Sequence, residues 1–204
     1  KFVEVFGEGL SSLSLADRAM MANMTPETGA TVTFFPVDAE SLRYLKSTGR
    51  DEAMVDTLEI MLKEQNLFWT ADAAVPTYTQ VLKLDLSTIK PAVAGPRRPQ
   101  DWMEINDLKS SLVNAYRKPL SDGGFNVPAE NLDVVVPVTV KGQDVTLKHG
   151  SLVIASITSC TNTSNPAVLV AAGLVAKKAL EKGIRTRPWV KTSFAPGSRV
   201  VTAY

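Results

Sequence analysis

The residues with the most chemical potential lie in one polar stretch, Thr158-Ser159-Cys160-Thr161-Asn162-Thr163-Ser164-Asn165. It follows a short apolar run, Leu152 to Ile157, which reads as a fully buried parallel strand. It precedes Pro166, a residue suited to the first position of a helix, and a helical stretch from Ala167 to Lys182 closed by Gly183. In open α/β sheets, ligands bind beyond the carboxyl ends of the strands. A helix start also offers free N–H groups and partial positive charge, which stabilise a thiolate. The Cys160 thiolate would suit either a nucleophile or an iron–sulfur ligand. The competing reading is a buried structural cysteine, the commoner fate of a free thiol, although so polar a flank is unusual for a core position.

A cysteine nucleophile usually needs a histidine base. The single histidine, His149, stands just before the apolar strand, at the end opposite Cys160. We therefore expect a hydrogen-bonded structural role for His149, and metal ligation for a functional Cys160. One thiolate cannot hold a metal or a cluster by itself, so further ligands would come from outside this chain. One cysteine also excludes an internal disulfide and a self-contained cysteine zinc site, and one histidine excludes HExxH chemistry.

The elements that must position this stretch belong to an ordinary globular composition: 204 residues, 45% hydrophobic and 21% charged. Twenty-two basic and 21 acidic residues give a net charge of +1, which argues against binding nucleic acid or membrane surfaces by bulk charge. No apolar run approaches the ~18 residues of a membrane span, and no secretory signal pattern is visible. Lys1 is not a methionine, and Val200-Val201-Thr202-Ala203-Tyr204 carries no turn or polar tail. We therefore expect a piece of a longer protein.

Along the chain, Phe2 to Phe6 alternates like a strand, and Ser14-Leu15-Ala16-Asp17 reads as a capping box for a helix through about Met24. Thr31 to Phe35 predicts a strand, and Asp38 caps a helix that stops at Gly49. Met54, Val55, Leu58, Met61 and Leu62 form one apolar face of a helix over 51–65. Leu82, Leu84 and Leu86 alternate with charged residues, which predicts a half-buried strand over 78–86. The proline-rich stretch 91–99 reads as neither helix nor central strand. A domain boundary is expected near Ile89 to Gly95, giving a unit over 1–89 and another over 90–204. Lys118 to Asn131 is loop-rich, and Lys141-Gly142-Gln143 joins a β-hairpin. Trp189 to Ser193 reads as a further strand. This strand–loop–helix–strand order implies a parallel α/β sheet in the second half.

Several blocks of this sequence resemble one family. Ile157-Thr158-Ser159-Cys160-Thr161-Asn162-Thr163-Ser164-Asn165-Pro166 is similar to the first cluster-cysteine signature of the aconitases. Leu15-Ala16-Asp17-Arg18, Ala22-Asn23-Met24, Glu27-Thr28-Gly29-Ala30-Thr31 and Phe34-Phe35-Pro36 resemble the family's middle region. So do Gly95 to Asp101, Lys191-Thr192-Ser193 and Pro196-Gly197-Ser198. Order and spacing resemble the monomeric aconitase A and iron regulatory protein branch, over an interior portion of the family's chain.

The resemblance implies an α/β fold of three-layer type, with parallel and mixed sheets and flanking helices. It places 1–89 in part of an aconitase-like second domain and 90–204 in part of a third, both incomplete. It implies a hydro-lyase that converts citrate to isocitrate through cis-aconitate on a [4Fe–4S] cluster held by three cysteines. Cys160 matches the first ligand, and the other two form a C-x-x-C pair that this chain lacks. Asn23 and Glu27 match the family's asparagine and glutamate that reach the cluster environment. By themselves they read as a helix-end asparagine and a solvated carboxylate, with Pro26 favouring a turn between them.

Asn162 is equally readable as a loop-former or as a donor to cluster sulfides, whereas Asn165 reads as a helix cap. Arg97 and Arg98 read as a structural linker rather than as substrate contacts. The implied partner is a small tricarboxylate, in a cytoplasmic monomer. The resemblance leaves 2-methylisocitrate dehydration as an alternative. RNA stem-loop binding by a cluster-free form is a secondary expectation, with Lys177, Lys178, Lys182, Arg185, Arg187 and Lys191 as a basic run.

Overall fold

The computed structural model of the chain describes residues 1–158, 161, 164–195, 197 and 199–202. Backbone contacts divide it into two compact units. The first takes in Lys1–Leu84 with the described residues of Ser159–Ala176 and Ala195–Tyr204. The second takes in Asp85–Thr158 and Lys177–Phe194.

In the first unit, β1 (Phe2–Glu4) runs parallel to β2 (Val32–Phe34), with Phe2 opposite Val32. Parallel strands need a long crossover, and helix α1 (Leu15–Asn23) lies within it. Ser14 and Asp17 form the expected capping box. The Asp17 N–H donates to Ser14 Oγ at 3.2 Å, and Asp17 Oδ2 accepts from the Ser14 N–H at 3.2 Å. The helix ends at Asn23. Thr25, 2% exposed, donates its hydroxyl to the Ala22 carbonyl at 2.7 Å and meets the Thr33 hydroxyl at 2.8 Å, tying that end to β2.

Asp38 caps α2 (Ala39–Ser47), accepting from the Ser41 N–H at 3.2 Å, and Asp51 caps α3 (Glu52–Glu64), accepting from the Met54 N–H at 3.0 Å. Helix α1 packs against β2 and α2, and α2 packs against α3. Among the described residues the buried apolar side chains are Leu10, Leu42, Val55 and Leu169. The last lies on α5 (Pro166–Glu181), whose N-terminal part belongs to this unit.

In the second unit, β3 (Ala92–Ala94) pairs antiparallel with β4 (Trp102–Glu104), Val93 opposite Met103. Helix α4 (Leu108–Arg117) follows, then a hairpin of β5 (Val135–Val140) and β6 (Gln143–Lys148). Its two-residue turn places Lys141 at φ 51° and Gly142 at φ 77°, the left-handed pair that matches strand twist. β7 (Ile154–Thr158) pairs with β8 (Lys191–Ala195), and the Lys191 N–H donates to the Val153 carbonyl at 2.8 Å. A last short helix, α6 (Arg199–Thr202), belongs to the first unit.

The molecule is thus a mixed α/β chain with four small two-stranded sheets among its described residues. Four expectations change. The alternating stretch 78–86 forms no strand, and Leu82 and Leu84 are 85% and 72% exposed. Alternation supplies a face but not a partner, and no described strand offers this stretch a ladder. The proline-rich stretch instead contributes β3. Its prolines flank the three paired residues rather than interrupting them, and a two-stranded sheet asks for bonds on one edge only. On α3, Val55 is buried and Leu58 and Leu62 are half-buried, while Met54 and Met61 are exposed. The covered stripe is narrower than the apolar face. Finally, β7 is not fully buried. Ile154 and Ile157 are 63% and 43% exposed, and among the described residues β7 pairs with β8 alone, so no larger sheet encloses it.

Candidate functional site

Two candidate site residues follow from how α1 ends. Asn23 is its last residue. Met24 and Thr25 follow it, Thr25 still in helical conformation, and Pro26 opens a 3-10 turn, Pro26–Thr28, that carries Glu27. Gly29 closes the turn at φ 81°, a conformation open to glycine without a Cβ penalty. The expected turn between Asn23 and Glu27 is present. Both side chains are exposed, and neither makes a hydrogen bond or ion pair among the described residues. Their polar atoms are thus not committed to holding the fold.

Cys160 and Asn162 lie outside the described residues, and their flanks are defined. On the far side Asn165 caps α5 as expected. Its Oδ1 accepts from the Ala167 N–H at 3.1 Å, and its carbonyl accepts from the Leu169 N–H at 3.1 Å. Ser164 and Asn165 are buried, at 6% and 9% exposure. Asn165 Nδ2 also donates to Asp17 Oδ1 at 2.8 Å, across 148 positions of sequence. The sequence assigned Asp17 a cap and nothing more. The structure gives its second oxygen a partner next to the Cys160 segment.

Behind α1 lies a buried ion pair. Arg18, 2% exposed, donates Nη1 to Asp38 Oδ2 at 2.9 Å, Nη2 to the Leu10 carbonyl at 2.8 Å and Nε to the Leu13 carbonyl at 3.2 Å. Asp38 Oδ1 meanwhile accepts from Ser41. One guanidinium thereby joins α1, the turn before it and the N-terminus of α2. This satisfies the rule that a buried charge be paired and hydrogen-bonded. The sequence reading attached no such role to Arg18, because its partner is 20 residues away.

Other candidates prove structural. His149 Nε2 bonds the Asn131 carbonyl at 3.1 Å, and the ring lies 5.6 Å from that of Tyr116. The bond to a carbonyl makes Nε2 the protonated nitrogen. Arg97 donates Nη1 and Nη2 to the Leu120 and Gly124 carbonyls, both at 3.1 Å, and Asp101 Oδ2 accepts the Arg97 and Arg98 N–H groups at 3.3 and 3.0 Å. Arg97 clamps a turn, as the linker reading expects.

The described residues contain no group of three or more His, Cys, Asp or Glu placed to hold a metal ion. With one thiol in the sequence, this chain's donor set fits one ligand position of an iron–sulfur cluster and not a complete site. No helix among the described residues is long and apolar enough to cross a membrane.

The model of the aconitase family (aconitate hydratase) matches residues 1–204. Aconitate hydratase A of Deinococcus radiodurans is 53% identical over 204 residues, covering 100% of this chain and 22% of that protein. The Thermus thermophilus aconitate hydratase A is 50% identical over 205 residues, covering 100% of this chain and 23% of that protein. The Staphylococcus aureus (strain MW2) aconitate hydratase A is 49% identical over 205 residues, with the same coverage. The chain therefore spans less than a quarter of the length of these relatives.

Proposed function

This chain belongs to the aconitase family, and from that premise we propose that the protein it represents is a hydro-lyase converting citrate to isocitrate through cis-aconitate. The observation that carries the reading is the match over all 204 residues, with about half of them identical to each of several aconitate hydratases A. No observation favours 2-methylisocitrate as substrate. The near balance of 22 basic and 21 acidic residues gives no bulk field that would favour RNA.

In this reading Cys160 supplies one of three thiolates to a [4Fe–4S] cluster, and the other two come from parts of the protein beyond these residues. Such a cluster, with one iron open, supplies Lewis-acid polarisation of a substrate hydroxyl and carboxylate without a redox change. The chain's own residues provide binding and orientation. Asn23 and Glu27 would serve the cluster and substrate, and their exposed, uncommitted side chains support that role. Asn162 would donate to a cluster sulfide, a bond of the kind that tunes potential and stability. Asn165 keeps its cap. We extend the proposal to a cytoplasmic monomer acting on a small tricarboxylate, with three-layer domains completed by the rest of the protein.

The test is Cys160→Ser in the intact protein. We expect the visible iron–sulfur absorbance and the hydratase activity to disappear together. Retention of both overturns the ligand assignment.

A further inference from the structure

Asp17 uses its two oxygens for two separate tasks. Oδ2 accepts from the Ser14 N–H at 3.2 Å and from the Ser14 hydroxyl at 2.6 Å, which completes the cap of α1. Oδ1 accepts from Asn165 Nδ2 at 2.8 Å. The cap needs only the first oxygen, so the second bond is additional. Asn165 is divided in the same way. Its Oδ1 caps α5 through the Ala167 N–H, and its Nδ2 is left for Asp17. A bond to a carboxylate is stronger than one between neutral partners, and this one is half-buried. It fastens the start of α1, the helix that ends in Asn23, to the start of α5, five positions after Cys160.

We propose that Asp17 is a positioning residue for the Cys160 segment, acting through Asn165. The inference rests on the reading of Cys160 as a cluster ligand. It adds a residue outside the ligand set that ties Asn165, on the helix side of Cys160 in sequence, to the start of α1.

The geometry allows a donor–acceptor exchange. Asn165→Asp keeps an oxygen for the α5 cap, since the two residues are near equal as caps, but it sets two carboxylates against each other. Asp17→Asn sets two amide NH2 groups against each other while its oxygen serves Ser14. In the double variant the amide introduced at position 17 donates to the carboxylate introduced at position 165, and every other bond is kept.

The experiment uses the intact protein freed of iron. Alkylation of Cys160 by iodoacetamide is followed by peptide-resolved mass spectrometry, with other peptides as internal reference and thermal unfolding as the stability control. In parallel, the decay of iron–sulfur absorbance under a chelator is followed in the loaded protein. Each single variant should raise the Cys160 alkylation rate about tenfold, the factor that accompanies about 1.4 kcal/mol. The double variant should return it to within about twofold of the parent, because residues in contact couple rather than add.

A role confined to general stability would lower the melting temperature without singling out Cys160. Unchanged Cys160 rates in both single variants overturn the proposal, as does a change that the double variant does not reverse. A parent protein that takes up no iron, yet follows the exchange pattern in alkylation, sinks the ligand reading and supports the positioning bond.

Discussion

Replacing Arg18 with methionine keeps the apolar stem and removes the charge from the pair that joins α1 to α2. Arg18 and Asp38 have side chains 2% and 9% exposed and lie 2.9 Å apart. The loss leaves three acceptors changed: Asp38 Oδ2 and the carbonyls of Leu10 and Leu13. Breaking a buried pair from one side costs about 3–5 kcal/mol, chiefly because the remaining charge stays buried without compensation. The orphaned carbonyls work in the same direction. Asp38 retains its bond from the Ser41 N–H, which places the expected cost toward the lower end.

The assay is native-state hydrogen exchange in the intact protein. It reads the Arg18 N–H, bonded to the Ser14 carbonyl at 3.1 Å, and the Leu42 N–H, bonded to the Asp38 carbonyl at 3.2 Å. A loss of about 3 kcal/mol accelerates exchange there by roughly a hundredfold. The double variant Arg18→Met with Asp38→Asn keeps an N-cap on α2 and leaves no unpaired charge, so it should be milder than the single variant. Acceleration of less than about tenfold in the single variant, or a double variant as severe as the single, would refute the reasoning.

Two further outcomes follow from local geometry. Glu40 accepts from Arg43 Nε and Nη2 at 2.7 and 2.6 Å and from the Leu15 N–H at 3.1 Å. The Arg43 hydrogen bond, more than any other contact, holds its carboxyl below the ordinary 4.5. A carboxylate depressed in the folded state contributes in full above its unfolded pKa, and the contribution is lost as pH falls through the folded one. Protection of the α1 start should therefore decline below pH 4.5, and Glu40→Gln should flatten that decline; an unaltered acid limb counts against the assignment. In the β5–β6 turn, Gly142 has φ 77° and open space around a would-be Cβ, so Gly142→Ala carries a backbone penalty alone, about 1 kcal/mol. Gly142→Asn should cost less. Equal hairpin protection in all three proteins would show that the left-handed turn is not required.

Much of the local architecture was legible because it depends on neighbours in sequence. The Ser14–Asp17 box, the Asp38 and Asp51 caps and the Lys141-Gly142 turn all close within three or four residues. Residue chemistry and spacing are sufficient for such bonds. The candidate site was legible in the same limited sense. Cys160 stood out by its polar flank on a strand-to-helix passage, and Asn165 by its cap position. Asn23 and Glu27, by contrast, carry no distinguishing local pattern and entered only through the family resemblance.

Tertiary structure decided what depends on distant partners. Nothing near Asp17 announces that its second oxygen meets Asn165, and nothing near Arg18 names Asp38 as its counter-ion. The alternation over 78–86 promised a strand, and no strand among the described residues offered it a ladder. A cap is closed by residues three or four positions away. A strand, a buried charge or a link between two helix starts exists only if some remote segment arrives to complete it. Sequence wrote the local bonds of this protein, and folding chose the partners of its long-range ones.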